Sequence, residues 1–185
     1  MNNRFLITGL GRCRTAWMSV ATSTPRSICY HEPTAHTSKF EDLIELWASA
    51  GSLSIGISDS SLPLYLGRIL ETVKPRTLII DRPIDEVIES FDDYMMGTRF
   101  DITQGRKWVE ECLVELDRHR AHPLVRCVEF DALNDHDTVL DCLKWLVPTH
   151  DFMDVRFLMT MNIQVNRDYV MGLVARPHSA WHTSP

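Results

Sequence analysis

Phe5-Leu6-Ile7-Thr8-Gly9-Leu10-Gly11-Arg12-Cys13-Arg14-Thr15 is the stretch on which the fold turns. Its first four residues form a short apolar run without polar alternation, the pattern of a strand buried on both faces. Gly9 and Gly11 then mark a tight turn. Thr15 to about Ser23 reads as a helix, with Ala16, Val20 and Ala21 available for one face. A strand, a glycine loop and a helix in that order present backbone N–H groups and a helix N-terminus to an anion.

The same alternation continues outward along the chain. Further strands are expected at Ser27–Tyr30, Leu53–Ile57, Thr77–Ile80 and Val125–Phe130. Helices are expected at Phe40–Ala50, at Leu62–Val73, after Pro83 through Val87, Ile88 and Phe91, at Thr103–Arg120 and at Thr138–Leu146. Strands alternating with helices imply an α/β architecture, a three-layer sandwich with a central parallel sheet and helices on both faces. No internal repeat or dividing linker interrupts it. A single domain over residues 1–175 is expected, with a loosely ordered tail over 176–185.

The 185 residues, 44% of them hydrophobic, can bury a substantial core. Nineteen Lys and Arg against 25 Asp and Glu leave a net charge of −6 with no basic run. That balance argues against nucleic acid as a partner. No apolar run is long enough to span a bilayer, and no signal-peptide h-region follows the N-terminus, so no membrane partner and a cytoplasmic location are expected. The cysteines (13, 29, 112, 127 and 142) are odd in number and contain no C-x-x-C pair, which disfavours both a zinc site and a disulfide framework. Four of them, Cys13 aside, read as small core residues. The histidines at 119, 122, 136, 150, 178 and 182 show no ligand spacing, so no metal is expected.

The glycine loop lacks the Gly-Lys pair of the ATPase form G-x-x-x-x-G-K-S/T. A phosphatase reading of Cys13 needs an arginine six positions on, where Ser19 stands. Instead, Gly11-Arg12-Cys13-Arg14-Thr15-Ala16-Trp17-Met18 resembles, without a gap, the P-K/R-S-G-T-T-W-L loop of the sulfotransferases, a branch of the P-loop fold. Arg12 takes the cationic position, Thr15 the first hydroxyl and Trp17 the aromatic, while Cys13, Arg14 and Ala16 depart from the pattern. Arg82-Pro83-Ile84-Asp85-Glu86-Val87-Ile88-Glu89-Ser90 resembles that family's second signature, R-N-P-x-D-v-x-x-S, with the same Arg-to-Ser spacing. Proline and aspartate each come one place early. Val125–Leu133 is similar to a third family segment, a strand closed by an E-x-L turn. The family's C-terminal R-K-G-x-x-G segment has only a faint counterpart at Arg167–Gly172.

The resemblance implies a P-loop-type sandwich and transfer of a sulfuryl group from 3′-phosphoadenosine 5′-phosphosulfate, the cofactor-like donor, to a small hydroxyl or amine acceptor. It places Gly11, Arg12, Cys13, Arg14, Thr15, Ala16 and Trp17 at the donor's 5′-phosphate, and Arg82 and Ser90 at its 3′-phosphate. Arg12 becomes the catalytic cation. For the base that takes the acceptor's proton, His31 and Glu32 lead, with Asp59 behind them. Each of these has a plainer reading: a solvated His-Glu pair at a strand end, and an aspartate capping the helix at Leu62. Two other functions stay open, a nucleotide-binding or assembly protein that has lost catalysis and a small-molecule kinase.

Overall fold

A computed structural model describes residues 3–37, 39–49, 51, 53–95, 102–148 and 155–161. Five strands are present: β1 (Arg4–Gly9), β2 (Ser27–His31), β3 (Ser54–Ser58), β4 (Arg76–Asp81) and β5 (Val125–Glu129). Between and after them run α1 (Thr15–Thr22), α2 (Phe40–Ala48), α3 (Leu66–Thr72), α4 (Ile84–Met95), α5 (Ile102–His119), α6 (His136–Leu146) and α7 (Val155–Met159). The segment Arg167–Gly172, the tail 176–185 and His150, His178 and His182 lie outside the described residues.

All five strands are parallel and lie in the order β2-β3-β1-β4-β5. The three inner strands are buried on both faces: Phe5, Leu6, Ile7, Ile57, Leu78, Ile79 and Ile80 have no exposed surface. Only a sheet covered by helices on each side produces that pattern. Each such side chain stabilises the fold by about 1.5–3 kcal/mol relative to exposure. On the edges β2 and β5 the burial is partial.

Two expectations need correction. The segment 62–73 does not start as an α-helix: Pro63–Tyr65 forms a 3-10 turn, and α3 begins at Leu66. Proline suits such a start because its missing N–H would have no partner there. On α1, Val20 is 42% exposed, while the buried face is built from Thr15, Trp17, Met18, Ser19, Ala21 and Thr22. The cysteines also divide: Cys13, Cys112 and Cys142 are buried, but Cys29 and Cys127, on the edge strands, are half-buried.

The strand order places a switch point beside β1. From β1 the chain crosses through α1 to β2 on one side; from β4 it crosses to β5 on the other. The crevice at the carboxyl ends of β1 and β4 is where open parallel sheets collect ligands. Gly9 sits at its floor, paired with Ile80. A Cβ on Gly9 would lie 2.5 Å from the Ile80 carbonyl oxygen, backbone that cannot move aside. Gly56 similarly makes room for the Phe5 ring.

Gly9→Ala is therefore expected to lower the unfolding free energy by about 1–3 kcal/mol. Val20→Ala, at an exposed position, is expected to change it by less than about 0.5 kcal/mol. Urea titrations of the two variants measure both, and equal midpoints would contradict the close packing at Gly9.

Candidate functional site

Every candidate residue named from the sequence stands at the carboxyl edge of the sheet or on the first helix beyond it. Loop 10–14 follows β1, His31 and Glu32 close β2, Asp59 follows β3, and Arg82 follows β4. Strained backbone gathers here too. Among the described residues, non-glycine positive φ occurs at Arg12 (66°), Arg14 (59°), Glu32 (45°) and Lys74 (55°). The first three belong to this edge. Each left-handed residue costs about 1–2 kcal/mol, so the surrounding packing must impose it.

The loop is held from several sides. Gly11 packs so closely on α4 that a Cβ would meet the Phe91 ring at 2.2 Å. The buried Cys13 thiol donates to the Gly11 carbonyl at 3.6 Å. Burial pushes that thiol up to about 12, Arg82 pulling down and Asp81 pushing up less strongly, so Cys13 is no nucleophile at neutral pH. Ser58 Oγ donates to the Thr15 carbonyl at 2.7 Å, which anchors the first turn of α1 from β3. Trp17 Nε1 donates to the Leu158 carbonyl at 3.0 Å, tying α7 to α1. No side chain caps the N-terminus of α1, whose capping position is Arg14 itself.

Three guanidinium groups surround this helix end. Arg82 donates from Nη1 to the Arg12 carbonyl at 3.0 Å and from Nε to Glu86 at 3.3 Å. Its carbon lies 4.5 Å from the centre of the Phe130 ring. Arg14 lies 4.6 Å from the same ring and donates to Asn134 Oδ1 at 2.7 Å. The bulky side chain at the position where the sulfotransferase pattern has glycine is thus drawn onto Phe130 and Asn134. Ala16 is half-buried beside it.

Ser90, on α4, reaches back to the loop. Its Oγ accepts from Arg12 Nε at 3.2 Å, joining α4 to the loop, while Arg82 donates to Glu86 and the Arg12 carbonyl. The acids flanking Arg82 have other partners: Asp81 is taken in bidentate fashion by Arg120, and Asp85 faces Arg106 at 3.6 Å.

On the other side of the loop stand the acids. Asp59 is fully buried and each of its oxygens is used twice. Oδ1 accepts from the Ser61 N–H (2.8 Å) and hydroxyl (2.7 Å); Oδ2 accepts from the Thr34 N–H (3.2 Å) and hydroxyl (2.6 Å). Asp59 therefore pins the loops after β2 and β3 together and does not cap the helix that follows. Glu32 is differently placed. Burial, reinforced by the Asp59 charge, pushes its carboxyl up to about 7, against the opposing pull of the Ser60 hydroxyl and Arg12. His31 Nε2 lies 3.9 Å from Glu32 Oε1 and has no hydrogen-bond partner. Burial lowers the imidazole below its usual value, with Asp59 acting the other way, which keeps it neutral at neutral pH.

No family model matches this chain, and no curated protein does either. The site thus stands on its own geometry. Among the described residues there is no His/Cys/Asp/Glu group able to hold a metal, and no helix is long and apolar enough to cross a membrane. Sequence reasoning missed Phe130 as the platform of two arginines, and missed Ser58, Thr34 and Ser61. An aromatic closing the fifth strand was the available signal for Phe130; the three hydroxyl residues gave none.

The Glu32 environment makes a signed prediction. A carboxyl raised from 4.5 to about 7 binds its proton more tightly when folded. Its stabilising contribution is complete below the unfolded value and is lost as pH climbs through about 7. Between pH 5 and pH 8 the melting temperature of the native protein is expected to fall relative to that of Glu32→Gln. A gap between the two that stays constant across this window would contradict the burial of Glu32.

Proposed function

We propose that the protein transfers a sulfuryl group from 3′-phosphoadenosine 5′-phosphosulfate to a small hydroxyl or amine acceptor. The observation that carries this reading is the uncapped N-terminus of α1, set at the switch point between β1 and β4 and flanked by Arg12 and Arg82. In a chain of net charge −6, a helix end surrounded by three arginines is a site for an anion. The sequence likeness of loop 11–18 and of segment 82–90 to the sulfotransferases supports the choice of anion.

The residues fit such a donor. The first N–H groups of α1, with Thr15 beside them, receive the 5′-phosphate, and Arg12 neutralises charge that grows on it during transfer. Arg82, already oriented by Phe130 and Glu86, holds the 3′-phosphate, joined by Ser90 once Arg12 turns to the ligand. Glu32 accepts the acceptor's proton, since a carboxyl near 7 is matched to that task at neutral pH. His31 and Asp59 act by positioning: Asp59 fixes the turn that carries Thr34, next but one after Glu32. A cytoplasmic location suits this chemistry.

A second reading keeps the nucleotide and drops the catalysis. Arg14 in place of a loop glycine and the Arg12–Ser90 bond favour it. A small-molecule kinase has less support, because the loop has no Gly-Lys pair.

Calorimetry with 3′-phosphoadenosine 5′-phosphate should show micromolar binding, weakened about 10- to 100-fold by Arg12→Ala or Arg82→Ala. The exposed Arg26→Ala should leave it unchanged. Absence of binding at high micromolar concentration, with ATP bound instead, would reject the donor. A transfer assay separates the two main readings: Glu32→Gln should abolish transfer and retain nucleotide binding. Binding by the native protein with no transfer to phenols, sugars or amines would leave the non-catalytic reading.

A further inference from the structure

Arg82 leaves β4 directly behind an acid, Asp81, the last residue of the strand. A carboxylate there opposes any anion that Arg82 attracts. Its charge reaches the glycine loop, where the Cys13 thiol is pulled down by Arg82 and pushed up by Asp81. Arg120, one residue past the end of α5, meets that acid. Its Nη1 and Nη2 donate to the two oxygens of Asp81, Nη2 at 2.8 Å, and its Nε donates to Asp117 at 2.6 Å. The Asp81 side chain is 15% exposed against 57% for Asp117, so the two-pronged grip falls on the more buried acid. The Asp81 carbonyl also accepts the Phe130 N–H at 2.7 Å, which ties the ring beside Arg82 to the same residue. Arg82 itself donates Nε to the more exposed Glu86 and Nη1 to the Arg12 carbonyl.

We propose that Arg120 is a positioning residue of the anion site, acting through Asp81. By taking both carboxylate oxygens it keeps Asp81 off Arg82 and cancels a negative charge at the mouth of the crevice. The inference rests on the reading of Arg82 as a residue that holds an anion. A planar guanidinium matches a carboxylate with two parallel bonds, which leaves Asp81 little capacity for a second cation. A tie that served only to join α5 to β4 would need its two partners equally. Charge cancellation is asymmetric: Arg120 is needed only because Asp81 is there. Removing Arg120 exposes the acid, whereas removing the acid makes Arg120 dispensable, and a double-mutant cycle separates the two cases.

The test titrates 3′-phosphoadenosine 5′-phosphate into the full chain as native protein, Arg120→Ala, Asp81→Asn and the double variant. Arg120→Ala should weaken binding about tenfold, and the double variant should return to within about twofold of native. Asp81→Asn alone should leave binding unchanged or tighter. Asp117→Asn, which removes only the more exposed of Arg120's partners, should change nothing. Arg120→Lys keeps the charge without the two-pronged grip and should fall between; it replaces Arg120→Ala in the cycle if that variant does not fold. The Arg82 Nε–H resonance, assigned by its loss in Arg82→Lys, gives a readout without nucleotide. It should shift in Arg120→Ala and return in the double variant. Equal losses of affinity in Arg120→Ala and Asp81→Asn with no recovery in the double variant, or no loss in Arg120→Ala, overturn the inference, while nucleotide binding by the native protein leaves the donor reading intact. A resonance that follows the cycle in a protein that binds no nucleotide does the reverse: the role of Arg120 stands and the donor reading falls.

Discussion

The approach of Gly9 to the Ile80 carbonyl governs the rest of this structure. It lets the chain leave β1 close against β4, so that the next five residues turn within the switch-point crevice. A side chain at position 9 would lift the loop and the start of α1 with it. Gly11 repeats the device one step further on, where the Phe91 ring of α4 lies flush against the backbone. Between them the two glycines fix the loop to β4 on one side and α4 on the other. The same two elements carry Arg82 and Ser90.

That placement has a cost, which is visible as backbone strain and crowded charge. Arg12 and Arg14 take left-handed conformations that glycine would adopt freely. Three guanidinium groups share a small region and are kept apart by different means. Arg14 is held by Phe130 and Asn134, Arg82 by Phe130, Glu86 and a backbone carbonyl, and Arg12 by Ser90. Across the loop, Glu32 is forced toward its neutral form by burial beside Asp59. Positive charge on one side and a carboxyl of raised pKa on the other make the site asymmetric, the polarity on which the proposed sulfuryl transfer draws. Of the three, Arg82 is pre-oriented by its contacts, which lowers the entropic cost of engaging an anion.

Much of the fold was legible because its signals are local. Uninterrupted apolar runs such as Leu78-Ile79-Ile80 mark inner strands, and the Gly9–Gly11 pair marks the turn. Edge strands and helix starts were harder. Nothing in the sequence distinguishes the 3-10 turn at Pro63 from the first turn of α3, since proline is acceptable in either. Val20 was misplaced because a helix of eight residues offers too few turns to define its buried face. Of the site, the charged residues could be named but not their partners. Ser90 bonds to Arg12 and Arg14 lies against Phe130, each across a long stretch of chain, and no periodicity encodes such contacts. The four hydrogen bonds that make Asp59 a structural clamp were equally invisible, because they depend on β2 and β3 ending side by side.

The central claim is that one bisphosphorylated nucleotide spans the crevice from the start of α1 to Arg82. A crystal structure of the complex with 3′-phosphoadenosine 5′-phosphate tests it most directly. The 5′-phosphate should rest on the first N–H groups of α1 with Arg12 turned onto it, and the 3′-phosphate should lie between Arg82 and a Ser90 released from Arg12. A nucleotide bound elsewhere, or one bound with the Arg12–Ser90 contact intact and α1 untouched, would contradict the account.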